Sequence, residues 1–273
     1  MSWHGWSIQV SLLYVGIAAV LYWRGGKRMP RREQAGRQAA CFAAGLATIV
    51  MALDTPLDGY ADQLFWVHML QHVLLLTVAP PLILLGRPWP RMWRALPAGT
   101  RRRTGRTLAR SPWTAPIRRL ARPWPACLLF NATLLAWHLP GAYDLTLRSG
   151  VVHDLEHAMF FFTGLLFWAR VIDPGPLRPR LQWPLRIAAT AGSMITGWIL
   201  AITLVLVKHP LYAHYAQIVH RPGGISALTD QQLAAGMMWV PGSIAFALTI
   251  IAGVYRWLEP EPDPRPHRSA ITT

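Results

Sequence analysis

Seven long apolar runs divide the chain, at about 6–23, 38–53, 64–85, 124–139, 152–172, 185–207 and 233–257. Each is close to the roughly 20 residues that carry a helix across a bilayer. Between the runs the chain turns polar and, in alternate segments, strongly basic. Glycine and proline inside the runs (Pro80-Pro81, Gly192, Gly197, Pro241, Gly242) would break a soluble helix. In a membrane bundle they are tolerated, because neighbouring helices satisfy the freed backbone groups. Pro80-Pro81 predicts a kink or an end in the third helix. The pattern predicts an all-α polytopic bundle of seven transmembrane helices over residues 1–258, with 259–273 a disordered cytoplasmic tail. It contains no internal repeat and no sign of a second domain.

The first run reads as an N-out, C-in anchor rather than a cleaved signal peptide. Basic residues follow it (Arg24, Lys27, Arg28, Arg31, Arg32) and none precede it. It also lacks a small-residue cleavage site.

Composition sharpens this picture. Apolar residues make up 53% of the chain and charged residues only 14%, against about 25% charged in soluble domains. That apolar content excludes disorder, and two cysteines in 273 residues exclude a disulfide scaffold. Of the 27 basic residues only Lys27 and Lys208 are lysine, which points to GC-rich coding and a bacterial source.

A formal charge of +15 would suit a nucleic-acid binder until it is divided by side. With the N-terminus outside, the inner segments (24–37, 86–123, 170–186 and the tail) hold 24 of the 27 basic residues. The outer segments hold Arg148, Lys208 and Arg221, and seven of the twelve acids. Every loop therefore obeys the positive-inside rule, and the charge is a topology label. The longest loop, 86–123, carries Arg-Pro-Trp-Pro at both ends. It reads as an interfacial segment with tryptophan anchors and arginines on lipid phosphates. A docking surface for another protein is the second reading; no nucleic-acid partner is expected.

The same topology sorts the histidines. His68 and His72 fall in the first turns of the third helix, His138 at the end of the fourth, and His153 and His157 in the first turns of the fifth. His209, His214 and His220 lie in the last outer loop, His4 in the outer N-terminus, and His267 alone inside. Both pairs have i, i+4 spacing, so at about 100° per residue their members share a helix face one turn apart. Two imidazoles so placed can reach one metal ion. Ionisable groups in a membrane segment are costly and mark function.

Imidazole alone suits zinc, copper or iron; thioether sulfur shifts the choice to Cu(I). Met69 adjoins His68, and Met238 shares a helix face with Asp230, Ala234 and Pro241. Asp58, Glu156 and Asp230 are placed to orient imidazoles. Cys41 and Cys127 open the second and fourth helices near the inner side, away from the histidines, and read as reduced packing residues. Haem ligation across the membrane would need histidines near both faces, and the helix-borne ones lie on one.

Three blocks carry a family resemblance. The first is Leu53-Asp-Thr-Pro-Leu-Asp58, Phe65-Trp-Val-His68-Met69-Leu-Gln71-His72 and Ala79-Pro-Pro81. The second is Trp137-His138-Leu-Pro140, His153-Asp-Leu-Glu156-His157 and Gly164-Leu-Leu-Phe-Trp168. The third is Asp230-Gln231-Gln232 followed by Gly236-Met-Met238-Trp239-Val-Pro241-Gly242. Together they resemble the CtaG-type cytochrome c oxidase assembly factors of bacteria, over roughly residues 40–258.

The resemblance implies a non-enzymatic, seven-helix, multi-pass protein of the bacterial plasma membrane. Its function would be to help insert Cu(I) into the copper centre of subunit I of a haem–copper oxidase. It implies His68, Met69, His72, His138, His153 and His157 as copper-site residues near the outer face. Asp230 and Met238 belong to the motif with less defined roles. Partners would be that subunit, other copper chaperones and the bilayer; a homo-oligomer is compatible with it. Members also occur near or fused to copper-transport domains, so a copper importer stays open. So does a zinc-dependent seven-helix membrane hydrolase, in which three histidines and zinc activate water.

Overall fold

The computed structural model describes residues 4–30, 33–174 and 181–259. Among these there are helices and loops and no strands. The predicted tail lies outside the described residues from 260 onward.

The helices follow the apolar runs. Helix α1 is His4–Gly26, α2 is Ala35–Leu53, α3 is the short Pro56–Ala61, and α4 is Phe65–Leu85. The basic loop then folds into α5 (Pro88–Ala95), α6 (Ala98–Arg110) and α7 (Thr114–Leu120). After it come α8 (Pro123–Trp137), α9 (Pro140–Arg148), α10 (Gly150–Val171) and α11 (Trp183–Leu206). A one-turn α12 (Ala213–Ala216) precedes the long α13 (Ala227–Leu258). Four of these, α2, α4, α11 and α13, are long and apolar enough to cross a membrane. The runs at 6–23, 124–139 and 152–172 coincide with helices of 23, 15 and 22 residues.

The bundle is apolar outside and polar within, the reverse of a soluble domain. Leu128, Leu248, Ile251 and Tyr255 stand more than 60% exposed, while His68, Gln71, Glu156 and Asp230 are fully buried. Water would not tolerate that outer surface, and lipid accepts it. The chain is a membrane protein.

Helix α4 is the axis of the fold, packed by α2, α10 and α13. It does not end at Pro80-Pro81. It widens into a π turn over Leu74–Val78 and continues to Leu85. Proline has no N–H to return to the carbonyl four residues earlier. For Pro80 that acceptor is the Leu76 carbonyl, and the Trp168 indole N–H donates to it at 2.9 Å instead. Gly164 of α10 makes this approach possible, since a Cβ there would lie 2.8 Å from the same oxygen.

Two aromatic layers bracket the interior near one end of α4. One contains Phe130, Phe160, Phe167, Trp168 and Phe246. The other contains Phe65, Tyr143, Tyr212 and Tyr215, together with Met69. In the basic loop, α6 and α7 bury no side chain. Helix α5 packs on α1, and Arg28, two residues beyond α1, donates from Nη1 to the Arg94 and Ala95 carbonyls at 3.1 and 2.9 Å.

Candidate metal centre

Between the two aromatic layers, five imidazoles converge from three helices. The i, i+4 spacing sets each pair on one face, with ring centroids 4.5 Å apart for His68–His72 and 4.1 Å for His153–His157. Packing of α4 on α10 brings the pairs together: His68–His153 are 5.1 Å apart and His72–His157 5.4 Å. His138, at the end of α8, stands 6.0 Å from His72. His68, His72, His138 and His157 are buried and His153 is half-buried.

Glu156 completes the group. Its position three residues after His153 sets it beside that imidazole on the helix, and the packing of the bundle buries it completely. One donor atom from each of His68, His153, Glu156 and His157 lies within 4.8 Å of the others. Its Oε2 is 3.6 Å from His68 Nε2 and 3.7 Å from His72 Nε2. Those distances are long for a hydrogen bond. They are close to the spacing of two donors on one cation, about 3.3–3.6 Å for bonds of about 2.0–2.1 Å.

Hydrogen bonding fixes what His68 presents. The Tyr215 hydroxyl donates to the Ala61 carbonyl at 2.6 Å. A carbonyl only accepts, so this bond uses the phenol proton. His68 Nδ1, 3.1 Å from the same oxygen, must therefore be the donor. In the neutral imidazole Nε2 then carries the lone pair, and it faces Glu156. Both Glu156 oxygens, both His72 nitrogens, His68 Nε2 and His157 Nε2 are buried without a hydrogen-bond partner among the described residues. A buried carboxylate costs several kcal/mol unless a proton on a neighbouring imidazole or a metal cation answers its charge. The donor set fits a transition-metal ion on that ground: His68, His72, His153, His157 and Glu156 would hold it.

The surroundings position these donors. Asp230, at the start of α13, accepts from the backbone N–H groups of Phe65 at 2.9 Å and Trp66 at 3.0 Å. It thereby caps the histidine-bearing α4, where a carboxylate complements the helix dipole. Its charge is matched by Arg221 Nε at 3.2 Å. Arg221 also donates to the Tyr215 and Ile225 carbonyls, so one side chain anchors the loop that holds His68. Asp58 accepts from Gln71 Nε2 at 3.1 Å, and the same nitrogen donates to the Ala52 carbonyl at 2.7 Å. Its link to the histidines thus runs through α4. Tyr212 donates to the His138 carbonyl at 3.0 Å. Burial pushes the Tyr212 and Tyr215 phenols up, well into neutral donor territory.

Met69 is fully buried, and its Sδ lies 3.3 Å from His138 Nε2. Met238 and Met69, with His72 and His138, line a cavity of about 40 Å³ that extends to Ser193 and Phe246. Cys127 stands at its far side, with Sγ 3.8 Å from Ser193 Oγ, apart from the histidine group. Cys41 is half-buried.

The remaining histidines are elsewhere. His209 and His220 are exposed, and His214 binds the Asp62 carbonyl at 3.1 Å. The His4 side chain and His267 lie outside what the structure describes. Tyr143, Tyr212, Tyr215 and Arg221 were not anticipated. Their only sequence signal is a tyrosine pair flanking His214 and one arginine in a segment otherwise poor in positive charge.

Comparison with known proteins adds a family. The model described as cytochrome c oxidase caa3 assembly factor (Caa3_CtaG) matches residues 20–259, most of the chain. Curated relatives include an uncharacterized protein of Mycobacterium bovis, 28% identical over 252 residues, covering 88% of this chain and 37% of the relative. Another, from Mycobacterium leprae, is 25% identical over 272 residues, covering 97% of this chain and 40% of the relative. The chain thus spans about two fifths of the length of these relatives. No solved structure matches it.

Proposed function

The chain belongs to the cytochrome c oxidase caa3 assembly factor family, and from that premise we propose that it is a copper-binding membrane factor that delivers or inserts Cu(I) into the copper centre of a haem–copper oxidase. The observation that carries the reading is the buried set of unpartnered donors: His68 Nε2, both His72 nitrogens, His157 Nε2 and the Glu156 carboxylate. Copper is the cargo, held by the imidazoles of His68, His72, His138, His153 and His157 and the thioethers of Met69 and Met238. Imidazoles and thioethers replace the water shell that a monovalent ion loses on entering the bundle. Glu156 supplies one charge of opposite sign. Open exchange suits a donor protein, whose cargo must leave again.

In this reading seven helices cross the bacterial plasma membrane, with the N-terminus outside and the copper site near the outer face. The support is the basic bias of the alternate segments. The client is the oxidase subunit that holds the copper centre, and the role is not catalytic.

The test is deletion of the gene with oxidase activity measured with and without added copper. Activity should fall in copper-limited cells and recover in part with copper. Normal activity in copper-limited cells would overturn the proposal.

One observation favours a second reading. Three imidazoles with a carboxylate also suit zinc, as a membrane hydrolase would require. Stoichiometric zinc after copper-free purification, together with lipid amidase activity, would select it.

A further inference from the structure

His138 is oriented by a single strong contact. Its Nδ1 lies 2.7 Å from the Leu134 carbonyl, so Nδ1 carries the proton. The alternative tautomer would set a nitrogen lone pair against a carbonyl oxygen at that distance. In the neutral ring Nε2 then carries the lone pair, and it faces the Met69 sulfur at 3.3 Å. A thioether is only a weak acceptor and has no proton to give. Two buried acceptors thus point at one another. One cation between them would resolve the contact. Bonds of about 2.0 Å to nitrogen and about 2.3 Å to sulfur, at a tetrahedral angle, set the two atoms about 3.5 Å apart.

The chemistry here differs from that around Glu156. The His138–Met69 contact opens on the cavity that Met238 and His72 also line, and apart from Thr77 and Ser193 the rest of its wall is apolar. It offers neutral nitrogen and soft sulfur. The other group offers three imidazoles and a carboxylate. Thioether ligands select Cu(I), whereas carboxylate with imidazole suits Zn(II) or Cu(II). His72 stands between the two, 5.4 Å from His157 and 6.0 Å from His138 by ring centroids.

We infer that the bundle contains two metal sites rather than one: a Cu(I) site built from His138, Met69 and Met238 with His72 at its edge, and a divalent-cation site built from His68, His153, His157 and Glu156. This rests on the copper-binding reading above and divides its ligands by chemistry. The Cu(I) site is the one that holds the cargo. The carboxylate site binds a divalent ion that stays and fixes α4 against α10.

The experiment uses the full chain purified in detergent, loaded anaerobically with Cu(I) alone or with Zn(II) alone, and read by X-ray absorption and by competition with chelators. Wild type should show sulfur in the Cu(I) shell and only nitrogen and oxygen in the Zn(II) shell. Met69→Leu with Met238→Leu, which nearly conserves volume, should remove the sulfur shell and weaken Cu(I) by about tenfold or more. Zn(II) affinity should stay unchanged. Glu156→Gln should do the opposite. A wild-type Cu(I) spectrum without sulfur overturns the inference, and needs no variant. So do variants that lose both metals in parallel, the mark of one shared site; copper reading and division would then part company. Failure of the copper reading itself looks different: wild type would bind no Cu(I) at all.

Discussion

The Tyr215 hydroxyl receives the Nδ1–H of His68 at 3.1 Å and gives its own proton to the Ala61 carbonyl at 2.6 Å. One phenol from the one-turn α12, 147 residues away in sequence, thereby sets which nitrogen of a buried imidazole is free. Partners of this kind typically change metal affinity by about 10–100-fold when removed. Tyr215→Phe should therefore weaken zinc binding by about that factor without changing its stoichiometry. Burial holds the phenol neutral, so the effect should be flat across physiological pH. Chelator competition at several pH values checks it; wild-type affinity in the variant would remove Tyr215 from the account.

Asp230 and Arg221 form a buried pair at 3.2 Å that also caps α4. Breaking one side of such a pair costs about 3–5 kcal/mol, because the other charge remains unpaired. Asp230→Asn should lower the melting temperature in detergent sharply. The double variant Asp230→Asn with Arg221→Met should recover part of the loss. Additive effects in the double-mutant cycle would show that the pair does not act as a unit.

Gly164 and Trp168 support the π turn that carries α4 past Pro80. A methyl at Gly164 would meet the Leu76 carbonyl at 2.8 Å, so Gly164→Ala should destabilise by about 1–3 kcal/mol. Trp168→Phe removes the donor to the same carbonyl and should cost a similar amount, about 1–3 kcal/mol for an unsatisfied buried group. Gly192→Ala, where a Cβ meets nothing within 4 Å, is the control. Equal melting temperatures for Gly164→Ala and Gly192→Ala would contradict this role.

Much of the architecture was legible in the pattern of apolar runs, because lipid imposes length and hydropathy on each crossing segment. The i, i+4 histidine pairs were legible for a related reason: helical spacing converts directly into a shared face. Glu156 was visible as an acid beside His157, yet its place inside the group depends on how α10 turns against α4. Asp230 was read as an outer partner of an imidazole, and the structure gives it backbone amides and Arg221. Tyr215 and Arg221 left almost no trace, since loop contacts follow no period. The division between a soft and a hard donor set also escaped the sequence. It depends on a contact between Met69 and His138, 69 residues apart. Helix α4 shows the limit of local rules: Pro80-Pro81 predicts a kink or an end, and a π turn with a distant indole carries the helix through to Leu85.

The proposed role requires that the buried imidazoles at this end of the bundle hold copper. Copper per chain, measured by elemental analysis after anaerobic Cu(I) loading and desalting, tests it most directly. Wild type should retain stoichiometric copper, and His72→Ala with His138→Ala, folded by thermal melt, should lose it. Unchanged copper content in that double variant would contradict the account.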